Sequence, residues 1–148
     1  MQRLVVIDTC AVISYYPKVF QEESTISKGS LELISAALGH SDVRIIIPTI
    51  VFVELFQLYF KREEMSRLIY YEVYLPFRDS PHFELRGFDQ DGLNAFITID
   101  DIEPDQKFDN HDKQVLSAAI SMNCPLMTSD TKIKRYNDRK SVIPAILD

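Results

Sequence analysis

Four carboxylates stand where this chain is otherwise building hydrophobic core. Asp8 ends the run Leu4-Val5-Val6-Ile7, Glu54 interrupts Ile50-Val51-Phe52-Val53 before Leu55, Asp112 opens a helical pattern, and Asp130 ends Leu126-Met127-Thr128-Ser129. Acids in apolar surroundings are costly unless a cation or strong hydrogen bonds satisfy them. One hard divalent cation answers all four at once, because Mg²⁺ or Mn²⁺ takes oxygen ligands and lets clustered negative charges coexist. The residue types therefore point to a metal-dependent enzyme. Asp8, Glu54, Asp112 and Asp130 are the candidate catalytic and metal-binding groups. Asp8, with a rigid strand behind it, is the first choice for a direct ligand and Asp112 the next.

Other chemistries have less behind them. Ser14 and Ser129 lack a His and Asp arrangement that would activate a hydroxyl. Asp8 is placed like the nucleophile of an aspartyl phosphatase, but Cys10 stands where that chemistry needs a second aspartate. Cys10 and Cys124 have no zinc or redox spacing and read as small buried hydrophobes in a reducing compartment. His111 reads as a solvent-facing or capping residue rather than a catalytic one. Tyr70, Tyr71 and Tyr74 read as packing residues, with base stacking or a dimer face as the alternatives.

The chain must bring the four acids together, and its length and pattern suggest how. At 148 residues with 46% hydrophobic content it fits one domain, residues 1–148. The apolar start is too short for a signal or membrane segment, so the expected location is the cytoplasm. A net charge of −6 argues against non-specific nucleic-acid coating but not against a nucleic-acid enzyme. The charge is uneven. Residues 89–109 are acidic, whereas Lys132, Lys134, Arg135, Arg139 and Lys140 make a basic run beside Asp130. Of these, Lys132, Lys134 and Arg135 could hold a phosphate backbone; the alternative is a solvated turn with ordinary surface lysines.

Short apolar runs alternate with segments of helical period, the pattern of βαβ units. Strands are expected at 4–7, 43–47, 83–86 and 126–128, with a short edge strand at Val142-Ile143. Helices are expected over 11–15 (stopped by Pro17), near 30–38, over 50 to about 74 with Thr49 as cap, from Asp89-Gln90-Asp91 to about 98, and over 110–122. An acidic loop should run through Pro104. The fold class is thus α/β, a three-layer sandwich with a four- to five-stranded parallel sheet flanked by helices. In such a sheet helix N-termini and strand C-termini share one edge, where ligands bind. Asp8 and Asp130 follow strands, Asp112 and Glu54 lie in early turns of helices, and all four should point to that rim within reach of one cation. Asp109 and Asp105 look like cap or loop acids.

Four blocks in this order, Val6-Ile7-Asp8-Thr9, Pro48-Thr49 through Glu54-Leu55, Asp112-Lys113-Gln114-Val115-Leu116-Ser117-Ala118-Ala119, and Leu126-Met127-Thr128-Ser129-Asp130, resemble the PIN-domain ribonucleases, in particular the single-domain toxins of VapBC type. The resemblance spans essentially the whole chain. It implies a PIN-like fold, an acidic quartet of Asp8, Glu54, Asp112 and Asp130 holding Mg²⁺ or Mn²⁺, and Thr9 and Thr128 as hydroxyls that orient a carboxylate or water. It also implies hydrolysis of single-stranded RNA phosphodiesters by a toxin of a toxin–antitoxin pair, an antitoxin partner and a homodimer. A non-catalytic PIN-like adaptor that binds metal is the alternative. The stretch 18–27 and the acidic segment 89–109 depart from the usual pattern of such toxins.

Overall fold

A computed structural model describes residues 2–39, 42–100 and 107–148. Five parallel strands form one sheet in the order β3-β2-β1-β4-β5. The strands are β1 (Arg3–Ile7), β2 (Val43–Pro48), β3 (Phe83–Arg86), β4 (Leu126–Met127) and β5 (Ile146–Leu147). The connecting helices are α1 (Thr9–Tyr15), α2 (Pro17–Phe20), α3 (Lys28–Leu38), α4 (Thr49–Leu58), α5 (Glu63–Leu68), α6 (Leu75–Asp79), α7 (Gln90–Thr98), α8 (Asn110–Met122) and α9 (Thr131–Lys140).

Val5, Val6, Ile7, Ile45, Ile46 and Ile47 have no exposed surface. That is why β1 and β2 read as unbroken apolar runs: a parallel strand is covered on both faces. α3 and α6 pack on β2 and β3, while α8 packs on β1 and β2. Parallel crossovers are right-handed, so reversing direction after β3 sends α7, α8 and α9 to the opposite face from α1–α6. The result is a three-layer α/β sandwich. Chain direction reverses beside the central strand β1, and the crevice between the C-terminal ends of β1 and β4 is the topological switch point.

Several local expectations need correction. The single helix expected over 50–74 is broken. α4 ends at Leu58, Tyr59 closes it by donating its N–H to the Leu55 carbonyl, and the Tyr59 ring leans on Phe20 at 5.5 Å. The chain restarts at α5 and passes through a π-helical turn (Ile69–Tyr74) into α6. The restart turns Ile69, Val73 and Phe77 into the core, all with no exposed surface. Thr49 does not cap α4; it is the first helical residue, after Pro48. Pro17 does not merely stop α1 but sits in the first turn of α2, where its missing N–H costs nothing.

The last strand is Ile146–Leu147 rather than Val142-Ile143. Ile143 donates its N–H to Asn137 Oδ1 at 3.0 Å, and Pro144 has none to offer. Beyond Pro144, Ala145 and Leu147 accept the N–H groups of Leu126 and Thr128. The basic run is α9, an amphipathic helix that buries Ile133 and Tyr136. The acidic loop expected through Pro104, with Asp105, falls largely outside the described residues.

Leu116 on α8 is fully buried, whereas Leu58 at the end of α4 is 60% exposed. Leu116→Ala should therefore lower unfolding free energy by about 3 kcal/mol and Leu58→Ala by less than about 0.5 kcal/mol, read by urea denaturation.

Candidate functional site

Asp8 emerges from β1 into the switch-point crevice and is only 7% exposed. Both of its oxygens are held. Oδ1 accepts the Thr9 N–H at 2.7 Å and Oδ2 accepts the Thr128 hydroxyl at 2.8 Å. Thr128 Oγ1 in turn accepts the Asp130 N–H at 3.1 Å, so one hydroxyl ties the end of β1 to the turn after β4. Cys10 completes this wall. Its sulfur lies 3.8 Å from Asp8 Oδ2 and accepts the Ser129 N–H at 3.3 Å. Sequence reasoning missed that role, which only the packing of α1 against the 128–130 turn reveals.

The other acids come from helix starts. Asp109 caps α8 by accepting the Asp112 N–H at 2.8 Å, as its position before the helix suggested. That puts Asp112 in the first turn, where the helix dipole favours negative charge. Glu54 faces the crevice from the second turn of α4, with His111 Nδ1 at 3.8 Å from its Oε2. His111 is half-buried beside a site acid rather than facing solvent. Asp130 caps α9, its Oδ1 accepting the N–H groups of Lys132 at 2.8 Å and Ile133 at 3.4 Å.

Asp8, Glu54, Asp112 and Asp130 line one pocket of about 260 Å³, together with Thr9, Cys10, Ile13 and Ser129. At roughly 30 Å³ per liquid water, it has room for a hydrated cation and part of a ligand. The charges act on one another. The Asp112 carboxyl is pushed up to about 8 by burial and then by Asp130, Asp109, Asp8 and Glu54. Burial, reinforced by Asp130, raises Asp8 against the hydrogen bonds from Thr128 and Thr9. Glu54 is raised by burial and by Asp8, while His111 opposes the rise. One further polar group is unsatisfied: Thr9 Oγ1, in a side chain 4% exposed, has no hydrogen-bond partner among the described residues.

The expected convergence on one cation is met only in part. Among the described residues, no three acids, histidines or cysteines already form a metal-ligating group. Asp130 turns one oxygen back to its own helix, accepting the Lys132 and Ile133 N–H groups. A closed cage is not what Mg²⁺ requires, because it keeps several waters and binds directly through one or two carboxylates. The donors fit such an ion: four carboxylates and, among the described residues, a buried hydroxyl without a partner and no lysine or arginine ion pair to any of the four acids.

The remaining candidates lie elsewhere. Lys132, Lys134 and Arg135 are on α9, which Asp130 caps, and Lys134 is paired with Asp148 at 2.5 Å. Tyr70 and Tyr74 stack beside a groove with Phe52, Val53, Phe56 and Phe60, away from the acid pocket. Ser14 bonds Thr25, and among the described residues it has no hydrogen bond to an acid.

The backbone has close counterparts among solved structures. VapBC2 from Rickettsia felis, bound to a DNA fragment from its promoter, superposes with a TM-score of 0.63 at 19% identity, over 98% of this chain and 99% of that one. FitAcB from Neisseria gonorrhoeae gives 0.65 at 15% identity over 97% and 96% of the two chains. VapBC-1 from nontypeable Haemophilus influenzae gives 0.61 at 14% over 96% of each. No family model and no curated protein sequence matches the chain. At these identities the likeness establishes the fold, so the PIN-like architecture implied by four short motifs extends to the whole backbone. Among the described residues no helix is long and apolar enough to cross a membrane.

Burial of Asp112, reinforced by the neighbouring acids, sets a pH dependence. A carboxyl whose folded-state value is raised from 3.8 to about 8 contributes stability that is full below the lower value and is lost as pH climbs through the higher one. In EDTA, the melting temperature should fall steadily from pH 5 to pH 8.5, and Asp112→Asn should flatten most of that slope. A flat wild-type profile would mean that neither burial nor the neighbouring acids raise the Asp112 carboxyl in the folded protein.

A cation that binds only the folded state stabilises it by mass action. Millimolar Mg²⁺ or Mn²⁺ should raise the melting temperature at pH 7.5. Asp8→Asn should remove that increment while leaving the metal-free protein at least as stable. An unchanged metal response in Asp8→Asn would take Asp8 off the list of ligands.

Proposed function

We propose that this chain is a metal-dependent endoribonuclease of PIN type that hydrolyses phosphodiesters of single-stranded RNA, and that it acts as the toxin of a toxin–antitoxin pair. One observation carries the reading. Four carboxylates from four separate elements line a single pocket at the switch point of the sheet, where burial and neighbouring acids raise the proton affinity of Asp8, Glu54 and Asp112. The antitoxin half of the proposal rests on the fold shared with VapBC and FitAcB chains.

Asp8 and Asp112 would hold a Mg²⁺ or Mn²⁺ ion, with Glu54 and Asp130 completing the site directly or through water. Such an ion lowers the pKa of a bound water and offsets charge building on a phosphate. The protein's own groups do the rest. Thr128 and the Thr9 N–H fix the Asp8 carboxylate, so no rotamer freedom is lost when a ligand arrives. The Thr9 hydroxyl can donate to a phosphate oxygen or a water in the pocket, and the half-buried Glu54 carboxylate can receive a proton. Cys10 in place of a second aspartate speaks against an aspartyl-phosphate route, since no acid stands there to protonate a leaving group.

Water attack needs no 2′-hydroxyl. Cleaved RNA should carry a 5′-phosphate and a 3′-hydroxyl, and EDTA should stop cleavage. Asp8→Asn and Asp112→Asn should each cost about a thousandfold or more in rate, roughly 4 kcal/mol of transition-state stabilisation. End-group analysis of a labelled oligoribonucleotide reads both points. Cyclic-phosphate ends, or full activity in EDTA, would overturn the hydrolase; failure to cut any RNA with either ion would leave a metal-binding adaptor.

A further inference from the structure

The basic helix α9 begins at the pocket, because Asp130 is at once a wall of the site and the cap of that helix. Its cations are not equivalent. Lys134 is engaged by the Asp148 carboxylate at 2.5 Å, which ties the helix to the residue after β5. Lys140 reaches Asp100 Oδ2 at 3.4 Å, and the Tyr136 hydroxyl accepts the Asp100 N–H at 3.1 Å; together they bind the end of α9 to the segment after α7. Arg139 lies over the Tyr136 ring, 5.6 Å from its centroid. These three serve the fold.

Lys132 and Arg135 differ. Both are exposed, and among the described residues neither has an acidic partner. They are three residues apart, hence neighbours on one helix face, about 5–6 Å apart at their Cβ atoms. Lys132 lies in the first turn, its own N–H bonded to the pocket acid Asp130. Two cations without an acidic partner among the described residues thus stand in the first turns of a helix that starts at an acidic pocket. Buried Ile133 and Tyr136 anchor the helix, so these cations stand on a rigid mount.

We infer that Lys132 and Arg135 hold the phosphates flanking the scissile one, so that a single RNA strand leaves the pocket along the first two turns of α9, while Lys134 and Lys140 are structural straps. The inference rests on the ribonuclease reading and assigns its substrate track. Charge complementarity supports it: the acidic pocket repels a polyanion until a cation fills it, and flanking positive charge draws the strand toward that same rim. Backbone contacts of this kind carry affinity without sequence preference.

The test is binding of a fluorescent, unstructured oligoribonucleotide to Asp112→Asn protein in Mg²⁺ across a salt series, with wild-type cleavage measured separately. Lys132→Ala and Arg135→Ala should each weaken binding roughly two- to fivefold, the range of an exposed ion pair. Each should also reduce the slope of log affinity against log salt by about 0.7. Lys134→Ala should leave the affinity and slope unchanged and lower the melting temperature instead. Equal effects from Lys134→Ala, or unchanged slopes in Lys132→Ala and Arg135→Ala, would overturn the assignment. If the wild type still cleaves RNA in that case, only the track is wrong. If it neither binds nor cleaves, the ribonuclease reading fails with it.

Discussion

Everything at the site depends on holding a carboxylate in place where little water reaches it. Asp8 is among the most secluded acids described in the chain, and burial raises its proton affinity. Two hydrogen bonds counter that tendency: the Thr9 N–H at the start of α1, and the Thr128 hydroxyl delivered by a different strand. The second bond also welds β1 to β4 at the point where the strands diverge, so that Asp130 is placed by the same group that secures Asp8. Strand order, the cap of α9 and the charge balance of the pocket thus meet at one threonine.

Much of this was legible in the residues because the physics is local. Doubly covered strands must be apolar throughout, which marks β1 and β2; acids that end such runs can only sit at the sheet rim. Asp109 and Asp89 announced α8 and α7 as caps, and each accepts the N–H three residues on. What failed was decided by distant contacts. α4 stops because Tyr59 meets Phe20, and β5 slides past Pro144 because Asn137 claims the Ile143 N–H. α9 was hidden by its charges: with only Ile133 and Tyr136 buried, its helical signal is two apolar residues in ten.

At the site, the types and rim placement of the four acids could be read, but not their separation, since side-chain direction depends on packing around each carboxylate. Asp130 illustrates this, because its oxygen is committed to α9 rather than turned fully to the pocket. Nor could spacing reveal which lysines are free. Lys134 looks equivalent to Lys132 in the sequence until β5 brings Asp148 beside it.

The pairing that builds the pocket joins residues far apart along the chain: Thr128 and Asp8 are separated by 120 positions. β1 meets β4 through only two residue pairs, Val6 with Leu126 and Ile7 with Met127. Closing so long a loop is entropically slow, and such contacts form once more local ones have restricted the chain. During synthesis at about 5–20 residues per second, Asp8 therefore waits several seconds or more before its partner strand has been made. Asp8 is made well before Asp112 and Asp130, so a growing chain holds the first acid of the pocket long before it can form the pocket.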